Sequence, residues 1–257
     1  VHGALCVSYS GQCYMSYCIG GRSANRGECA QACRKKYSLI DEKGNIIIKD
    51  KYLLSMKDFN ASKHLKNLID ANVKSFKIEG RLKDRNYVRN VVAYYRREID
   101  KFADKTSSGK VFLDFEPDVR KSFNRGFTDY FLNERKKCFN FESPKSLGEK
   151  LGKIKLVGKN YFEIEWSKNA SSKSLSPQDG LYFNEMGCLV NKTEGNKIFP
   201  NKMDGIKTGI EIYRNFDSKF EKQLENSKTK RQIEVKFIYE KGVLKAIDED
   251  ENSTESN

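Results

Sequence analysis

Histidine is nearly absent from this chain of 257 residues: only His2 and His64 occur. Neither falls in a His-Glu-x-x-His zinc motif, and no Gly-x-Ser-x-Gly elbow is present, which weakens a protease reading without excluding residues supplied by an upstream segment. Cys6 or Cys13 as a nucleophile with His2 as base would give the remaining cysteines no role. His64 falls on a predicted helix and reads as a surface residue. Long apolar runs are also missing, none approaching the ~20 residues a spanning helix needs. No charged n-region leads into an apolar stretch at the start, so a secretory leader is not expected. No repeat at solenoid spacing is found. Cysteine becomes scarce after residue 33, with only Cys138 and Cys188 beyond it.

What is present is a concentration of thiols. Cys6, Cys13, Cys29 and Cys33 are spaced C-x6-C-x15-C-x3-C, with Cys18 as a fifth nearby. Disulfide frameworks are usually spread along short secreted chains, and here the total of seven is odd. Four soft thiolates can hold an iron–sulfur cluster or a zinc ion. Paired C-x2–4-C knuckles would favour zinc, and only Cys29 and Cys33 approach that spacing. The wide gaps suit a cluster held by loops, with Cys18 or an upstream cysteine as an alternative fourth ligand. Cys188 sits in a strand-like run and reads as a packed thiol.

Charge points to the partner. Lys and Arg number 48 against 35 Asp and Glu, a formal charge of +13. Such an excess favours an anionic partner, for which RNA is the natural candidate. In the first 37 residues Arg22, Arg26, Arg34, Lys35 and Lys36 interleave with Tyr9, Tyr14, Tyr17 and Tyr37. These rings either stack bases beside neutralised phosphates or pack around the cysteine loops. Arg125 reads as a surface arginine. Reduced thiols and the lack of a membrane segment point to the cytoplasm.

The expected elements run strand, helix, strand, helix after the cysteine segment. Tyr37–Ile40 and Ile46–Ile48 flank a turn at Lys43-Gly-Asn45. Tyr52–Met56 is a strand candidate, and Asp58 a cap for a helix carrying Leu65, Leu68 and Ile69 inward. Val73–Ile78 is a further strand. Asp84 caps a stronger helix whose apolar face holds Tyr87, Val88, Val91, Val92, Tyr95, Ile99 and Phe102. That order fits the last units of a parallel α/β barrel, whose strand ends carry the chemistry. Ser55, Lys57 and Asp58 would follow one strand end. Alternation would put Lys77, Glu79 and Arg81 on one side of the next. Arg81 could grip a carboxylate or phosphate, and Glu79 could serve as acid or base or simply pair with Lys77 or Arg81.

Downstream, Thr106–Gly109 and Glu116-Pro117 break regular structure, and Phe123–Phe127 is a Gly-containing turn. Strand-like runs at 153–157, 161–166, 179–183, 187–190 and 209–213, punctuated by glycine, imply a small β-barrel. A short helix follows Asp217. Residues 231–239 and 242–247 form a hairpin, and the tail 252–257 is expected to be disordered. The whole is α/β plus β. Residues 1–104 hold the cysteine-rich segment and the C-terminal part of a TIM-like barrel, and 105–146 a transition. Residues 147–213 hold the small β-barrel, and 214–257 the start of a C-terminal extension.

Three motifs carry a resemblance. Gly-Ala-Leu-Cys-x6-Cys over Gly3–Cys13 (with Ser10-Gly11 inside), Ser-Ala-Asn-Arg-Gly-Glu-Cys-Ala-Gln-Ala-Cys-Arg-Lys-Lys-Tyr over Ser23–Tyr37, and Lys-Ile-Glu-Gly-Arg-Leu-Lys over Lys77–Lys83 resemble peptidase family U-32, the collagenase-like proteins. Together they cover about residues 1–135. The family name implies proteolysis. Several bacterial members resemble instead oxygen-independent hydroxylation factors for tRNA, 23S rRNA or ubiquinone synthesis. The C-terminal extension is most similar to the rRNA-hydroxylating branch. The resemblance implies a [4Fe-4S] cluster on Cys6, Cys13, Cys29 and Cys33, with zinc as the alternative. It implies a substrate site lined by Lys77, Glu79 and Arg81, an RNA substrate, and prephenate as a source of the hydroxyl oxygen. It further implies half a barrel upstream of Val1, so the sequence is expected to be part of a longer protein.

Overall fold

The computed structural model describes residues 1–9, 12–103, 109–135 and 137–256. Ser10-Gly11 of the first motif and Thr106–Ser108 of the expected break lie outside the described residues. The chain opens with β1 (His2–Ala4) and enters the cysteine loops, which enclose α1 (Tyr14–Gly20). Gly21 ends α1 in the left-handed region (φ 66°), donating its N–H to Tyr17 O. β2 (Tyr37–Ile40) and β3 (Ile46–Lys51) form the expected hairpin. Its turn is built on Asp41, whose carboxylate accepts the N–H groups of Lys43 and Asn45 at 2.9 and 2.8 Å.

The next elements depart from expectation. Tyr52–Met56 is a turn, with Ser55 N–H on Tyr52 O at 3.0 Å, and only Met56 pairs, with Phe139. The strand comes one step later, as β4 (Asp58–Asn60). Asp58 is not a helix cap, because Arg125 takes both of its carboxylate oxygens. A one-turn 3-10 segment, Ser62–His64, leads instead into α2 (Leu65–Asp70). The expected strand at Val73–Ile78 is reduced to Ile78, which bridges His2 in parallel. A strand exists through its ladder, and residues 73–77 find none among the described residues.

Asp84 caps α3 (Arg85–Ile99) as expected, accepting Tyr87 N–H at 2.7 Å. Its buried stripe is Tyr87, Val91 and Tyr95, packed with Leu65 and Val119. Val88, Val92 and Phe102 face outward, contrary to the apolar pattern. Buried Asn90 takes the inward place, giving its amide to Asp118 O and Ser122 Oγ at 2.8 and 2.7 Å. After β5 (Lys110–Phe112) comes β6 (Phe127–Thr128), which completes a three-stranded sheet in the order β1-β4-β6. β1 and β4 are antiparallel, β4 and β6 parallel. The described residues therefore form a small mixed sheet here, without closing a parallel barrel.

The expected β-barrel is present. β7 (Glu149–Val157), β8 (Phe162–Trp166), β9 (Gly180–Phe183), β10 (Met186–Glu194), β11 (Lys197–Pro200) and β12 (Glu211–Phe216) close in the order β10-β11-β8-β7-β12-β9. Alternating residues such as Leu151, Ile154, Phe162, Ile164, Val190 and Ile212 fill its interior. Gly152 permits the close crossing of β7 and β8, since a Cβ there would lie 2.0 Å from Glu165 O. Cys188 is a packed thiol in this core, and burial pushes it up to about 11.

Asp217 caps α4 (Ser218–Glu225), whose Phe220 and Leu224 pack on Ala93 of α3 and on Phe115. β13 (Lys230–Gln232) pairs with β5. β14 (Val235–Glu240) and β15 (Val243–Asp248) make the expected hairpin. The tail differs from expectation: β16 (Ser253–Ser256) adds a third strand. The Asp248 carboxylate accepts Asn252 N–H at 2.9 Å and turns the chain back. Asn257 lies outside the described residues. Among the described residues no helix is long and apolar enough to cross a membrane.

Arg214 joins the two ends of the barrel strands through Glu149 (2.8 Å), Asp217 (3.2 Å) and Asp179 (3.5 Å), all four side chains being buried. Removing one partner of such a network leaves uncompensated charge. Arg214→Ala is therefore expected to lower stability by ~3–5 kcal/mol, read from urea unfolding. A loss no larger than that of an ordinary surface substitution would show that the network does not hold the barrel.

Candidate functional site

β1 points the chain out of the mixed sheet and into the cysteine loops. Gly3 makes this exit possible: its φ is 107°, and a Cβ would lie 2.3 Å from Glu79 O. Glu79 in turn donates its N–H to His2 O at 2.8 Å. The start of the cysteine segment thus lies against the motif that carries Lys77, Glu79 and Arg81.

Two side chains, the buried Ser16 and the half-buried Arg34, then shape the loops. The Ser16 hydroxyl on α1 donates to Arg22 O at 2.8 Å and accepts Ala30 N–H at 2.9 Å. This fastens the helix that follows Cys13 to the residue that follows Cys29. Arg34 does the same for Cys6 and Cys33. Its guanidinium donates to Leu5 O at 3.2 Å, to Ser55 Oγ at 3.0 Å and to Met56 O. The residue before Cys6 and the residue after Cys33 are therefore held on one group, at the turn preceding β4.

The thiols feel this arrangement. Burial raises the Cys33 thiol, the Arg34 charge pulls the other way, and the thiolates of Cys29, Cys6 and Cys13 push it further up. The other three cysteines singled out by spacing are thus within electrostatic reach of Cys33. As placed, no three Cys, His, Asp or Glu side chains among the described residues stand close enough to hold a metal ion. Cys18 is exposed on α1, and Cys138 and Cys188 are buried elsewhere. All seven thiols are free.

Lys77, Glu79 and Arg81 cluster at the same edge. The Glu79 carboxylate pairs with Lys77 Nζ at 3.5 Å and accepts Arg81 N–H at 3.3 Å. The Arg81 guanidinium packs on Gly27 of the cysteine segment, where a Cβ would lie 2.9 Å from Nη1. Of the aromatic residues, Tyr9, Tyr14 and Tyr17 are exposed, whereas the Tyr37 hydroxyl is engaged with Ala32 O at 2.8 Å. Lys36 pairs with Glu185 of the β-barrel at 3.0 Å.

Arg125 is not a surface residue. Buried, it pairs with Asp58 at 2.9 Å and donates from Nε to Pro144 O at 2.8 Å. Its guanidinium also lies over the Phe123 ring, where Lys83 Nζ is 3.0 Å from the centroid. Burial lowers Lys83 to about 8, with Arg125 adding to the effect. Arg34, Lys83 and Arg125 therefore all lie within electrostatic reach of Asp58, and Asp84 also acts on Lys83. Sequence reasoning passed over this cationic excess. Its only signals were Arg34 next to Cys33 and Lys83 at the end of a motif.

The histidines lie apart from the thiols. His2 hydrogen-bonds Tyr95 at 3.3 Å among aromatic rings, and burial pushes it down to about 4. His64 is half-buried and pairs with Asp129 at 3.2 Å, a correction to its reading as a surface residue. A Cys–His nucleophile pair is not formed by either.

Lys83 gives a pH signature. Its folded-state affinity for a proton is depressed, so between about pH 8 and 10.5 the unfolded chain binds the extra proton. Stability is expected to rise with pH across that window by a component that Lys83→Met lacks. Parallel unfolding curves for wild type and variant would contradict it.

The chain matches a family model described as Peptidase family U32 over residues 1–140. It is 40% identical over 255 residues to the 23S rRNA 5-hydroxycytidine C2501 synthase of Escherichia coli (strain K12), covering 91% of this chain and 38% of that protein. It is 38% identical over 135 residues to a collagenase of Porphyromonas gingivalis, covering 52% of this chain and 37% of the other. It is 32% identical over 138 residues to tRNA hydroxylation protein P1 of Bacillus subtilis (strain 168), covering 51% and 33%. The chain thus spans less than two fifths of each of these relatives. No solved structure matches. With its family model matched over more than half its length and its cysteine segment inside that match, the chain belongs to peptidase family U32.

Proposed function

We propose that this chain is the cysteine-bearing part of an iron–sulfur-dependent, oxygen-independent RNA hydroxylation factor acting on a pyrimidine of rRNA or tRNA. One observation carries this reading. Cys6, Cys13 and Cys29 lie within electrostatic reach of Cys33 in a chain similar along most of its length to an rRNA hydroxycytidine synthase. By type the donor set, four thiols carried on loops, suits a [4Fe-4S] cluster. Cys6, Cys13, Cys29 and Cys33 would hold it, and when bound it would supply redox or Lewis-acid chemistry.

The other residues would bind and orient. Arg34 and Ser16 hold the ligand-bearing loops in register. Arg81 reaches the cysteine segment at Gly27 and suits a carboxylate or phosphate. Glu79, engaged with Lys77 and the Arg81 backbone, would shape the substrate side. Prephenate, as the oxygen source, carries two carboxylates, and the excess of Arg34, Lys83 and Arg125 over Asp58 and Asp84 would suit such an anion. Of the pairings in the mixed sheet, β4 with β6 and His2 with Ile78 are parallel, as a TIM-like barrel would require, whereas β1 with β4 is antiparallel and departs from it. A cytoplasmic location accords with free thiols and an RNA substrate.

Anaerobic purification of the full-length protein, with iron and sulfide analysis, tests the reading. About four irons per chain with broad visible absorption is expected, and Cys29→Ser should abolish the absorption and RNA hydroxylation together. A Cys29→Ser protein that keeps both would overturn the assignment. A colourless protein with stoichiometric zinc would replace it with a zinc-stapled RNA-binding module.

A further inference from the structure

An open cleft of about 850 Å³ lies apart from the cysteine loops, between the mixed sheet and the rim of the β-barrel. Lys57, Lys63 and Lys137 line it from three separate segments: the approach to β4, the 3-10 turn before α2, and the stretch after β6. Three acids also line it, and each is engaged. Glu116 pairs with Arg97, Asp118 with Arg120, and Asp129 with His64. Among the described residues the three lysines have no carboxylate partner, and Lys137 lies over the Phe141 ring at 4.7 Å. The cleft therefore carries uncompensated positive charge distributed along its length. Its far wall includes Ser171, and Arg120 donates to Asn169 O at 2.8 Å, so the barrel rim is tied to this wall.

Its edge is aromatic. Directly after the lining residue Asp129, Tyr130 and Phe131 stack at 3.9 Å, with 37% and 43% of their surfaces exposed. Arg135 lies over the Phe131 ring at 5.5 Å. Tyr130 sits in the left-handed region at φ 54°, a conformation that a bulky residue rarely adopts. Solvent-facing rings beside spaced, unpaired ammonium groups are the two components of sequence-tolerant single-strand binding: ring faces for bases and cations for phosphates. A small anion would need its cations convergent, and here they are spread over an open groove.

We propose that this cleft holds the phosphodiester backbone of single-stranded RNA, with Tyr130 and Phe131 as its base-stacking edge. The proposal rests on RNA being the substrate, and it places that contact on a face separate from the cysteine site.

The test is binding of a labelled single-stranded RNA of about 12 nucleotides to the full chain, titrated between about 50 and 200 mM salt. The combined change Lys57→Ala, Lys63→Ala and Lys137→Ala should weaken binding and flatten the slope of log affinity against log salt by about 2, from three contacts at ~0.7 each. The same three positions changed to Arg should restore both. Tyr130→Ala with Phe131→Ala should weaken binding on the order of tenfold with the salt slope unchanged. The alanine-substituted lysine variant should keep wild-type iron content, so loss of RNA binding is read separately from loss of the metal site. Unchanged affinity and slope in that variant would overturn the cleft assignment and leave the hydroxylation reading standing. A wild-type chain that binds no RNA would overturn both.

Discussion

The organisation of the N-terminal half depends on how one guanidinium is satisfied. Arg34 is half-buried, and a cation taken out of water is costly unless its donors find acceptors. It finds them in Leu5 O, Ser55 Oγ and Met56 O. These belong to segments that are far apart in sequence: the residue before Cys6 and the turn before β4. The planar fork of arginine can serve several such acceptors at once, whereas a lysine ammonium at the same place would be a single point. The position of Cys33 relative to Cys6 is thus a by-product of satisfying Arg34. Ser16 plays the matching role for Cys13 and Cys29 with one hydroxyl that both donates and accepts.

The barrel solves a similar problem with the charge balance reversed. Arg214 meets three carboxylates, from Glu149, Asp179 and Asp217. Asp179 also accepts the N–H and hydroxyl of Ser218, while Asp217 caps α4 and pairs with Lys121 at 3.0 Å. The network therefore runs from the first barrel strand through the last and into the helix that packs on α3. Through α4 the barrel is coupled to the sheet side by Phe220 and Leu224 and by the Asn86–Glu221 contact at 2.7 Å. The cleft lies between bodies that are joined by packing.

Much of this was legible wherever the physics is local. The barrel follows from alternation and glycine punctuation, and the α3 cap from Asp84 placed before a helical stripe. The hairpin at Asp41–Asn45 follows from a short polar turn between apolar runs. What was hidden is non-local. Asp58 looked like a cap because a carboxylate before a helical pattern usually is one, and its true partner lies 67 positions on. Arg125 looked exposed because nothing in Phe123–Phe127 announces a buried ion pair. Val73–Ile78 has strand composition but lacks neighbours to pair with among the described residues. Residues 253–256 are polar enough to read as disordered, yet the Asp248 turn places them against β15 and the ladder does the rest.

The two arginines near the cysteines divide the electrostatic work. Arg125 spends its charge on Asp58 at 2.9 Å, so the pair is close to neutral when seen from a distance. Every acceptor of Arg34 is neutral: two carbonyls and a hydroxyl. Its hydrogen-bonding capacity is consumed while its charge is not. That charge acts on Cys33, opposing the rise that burial and the neighbouring thiolates impose. Reciprocally, the thiolates of Cys33 and Cys6 favour the charged guanidinium against burial and against Arg125. A neutral donor could hold the loops together equally well, but it would not oppose the rise of the Cys33 thiol. A cation already neutralised by a carboxylate would do the same. An arginine bound to neutral acceptors both holds the loops and opposes the rise of the Cys33 thiol, drawing it back toward the thiolate.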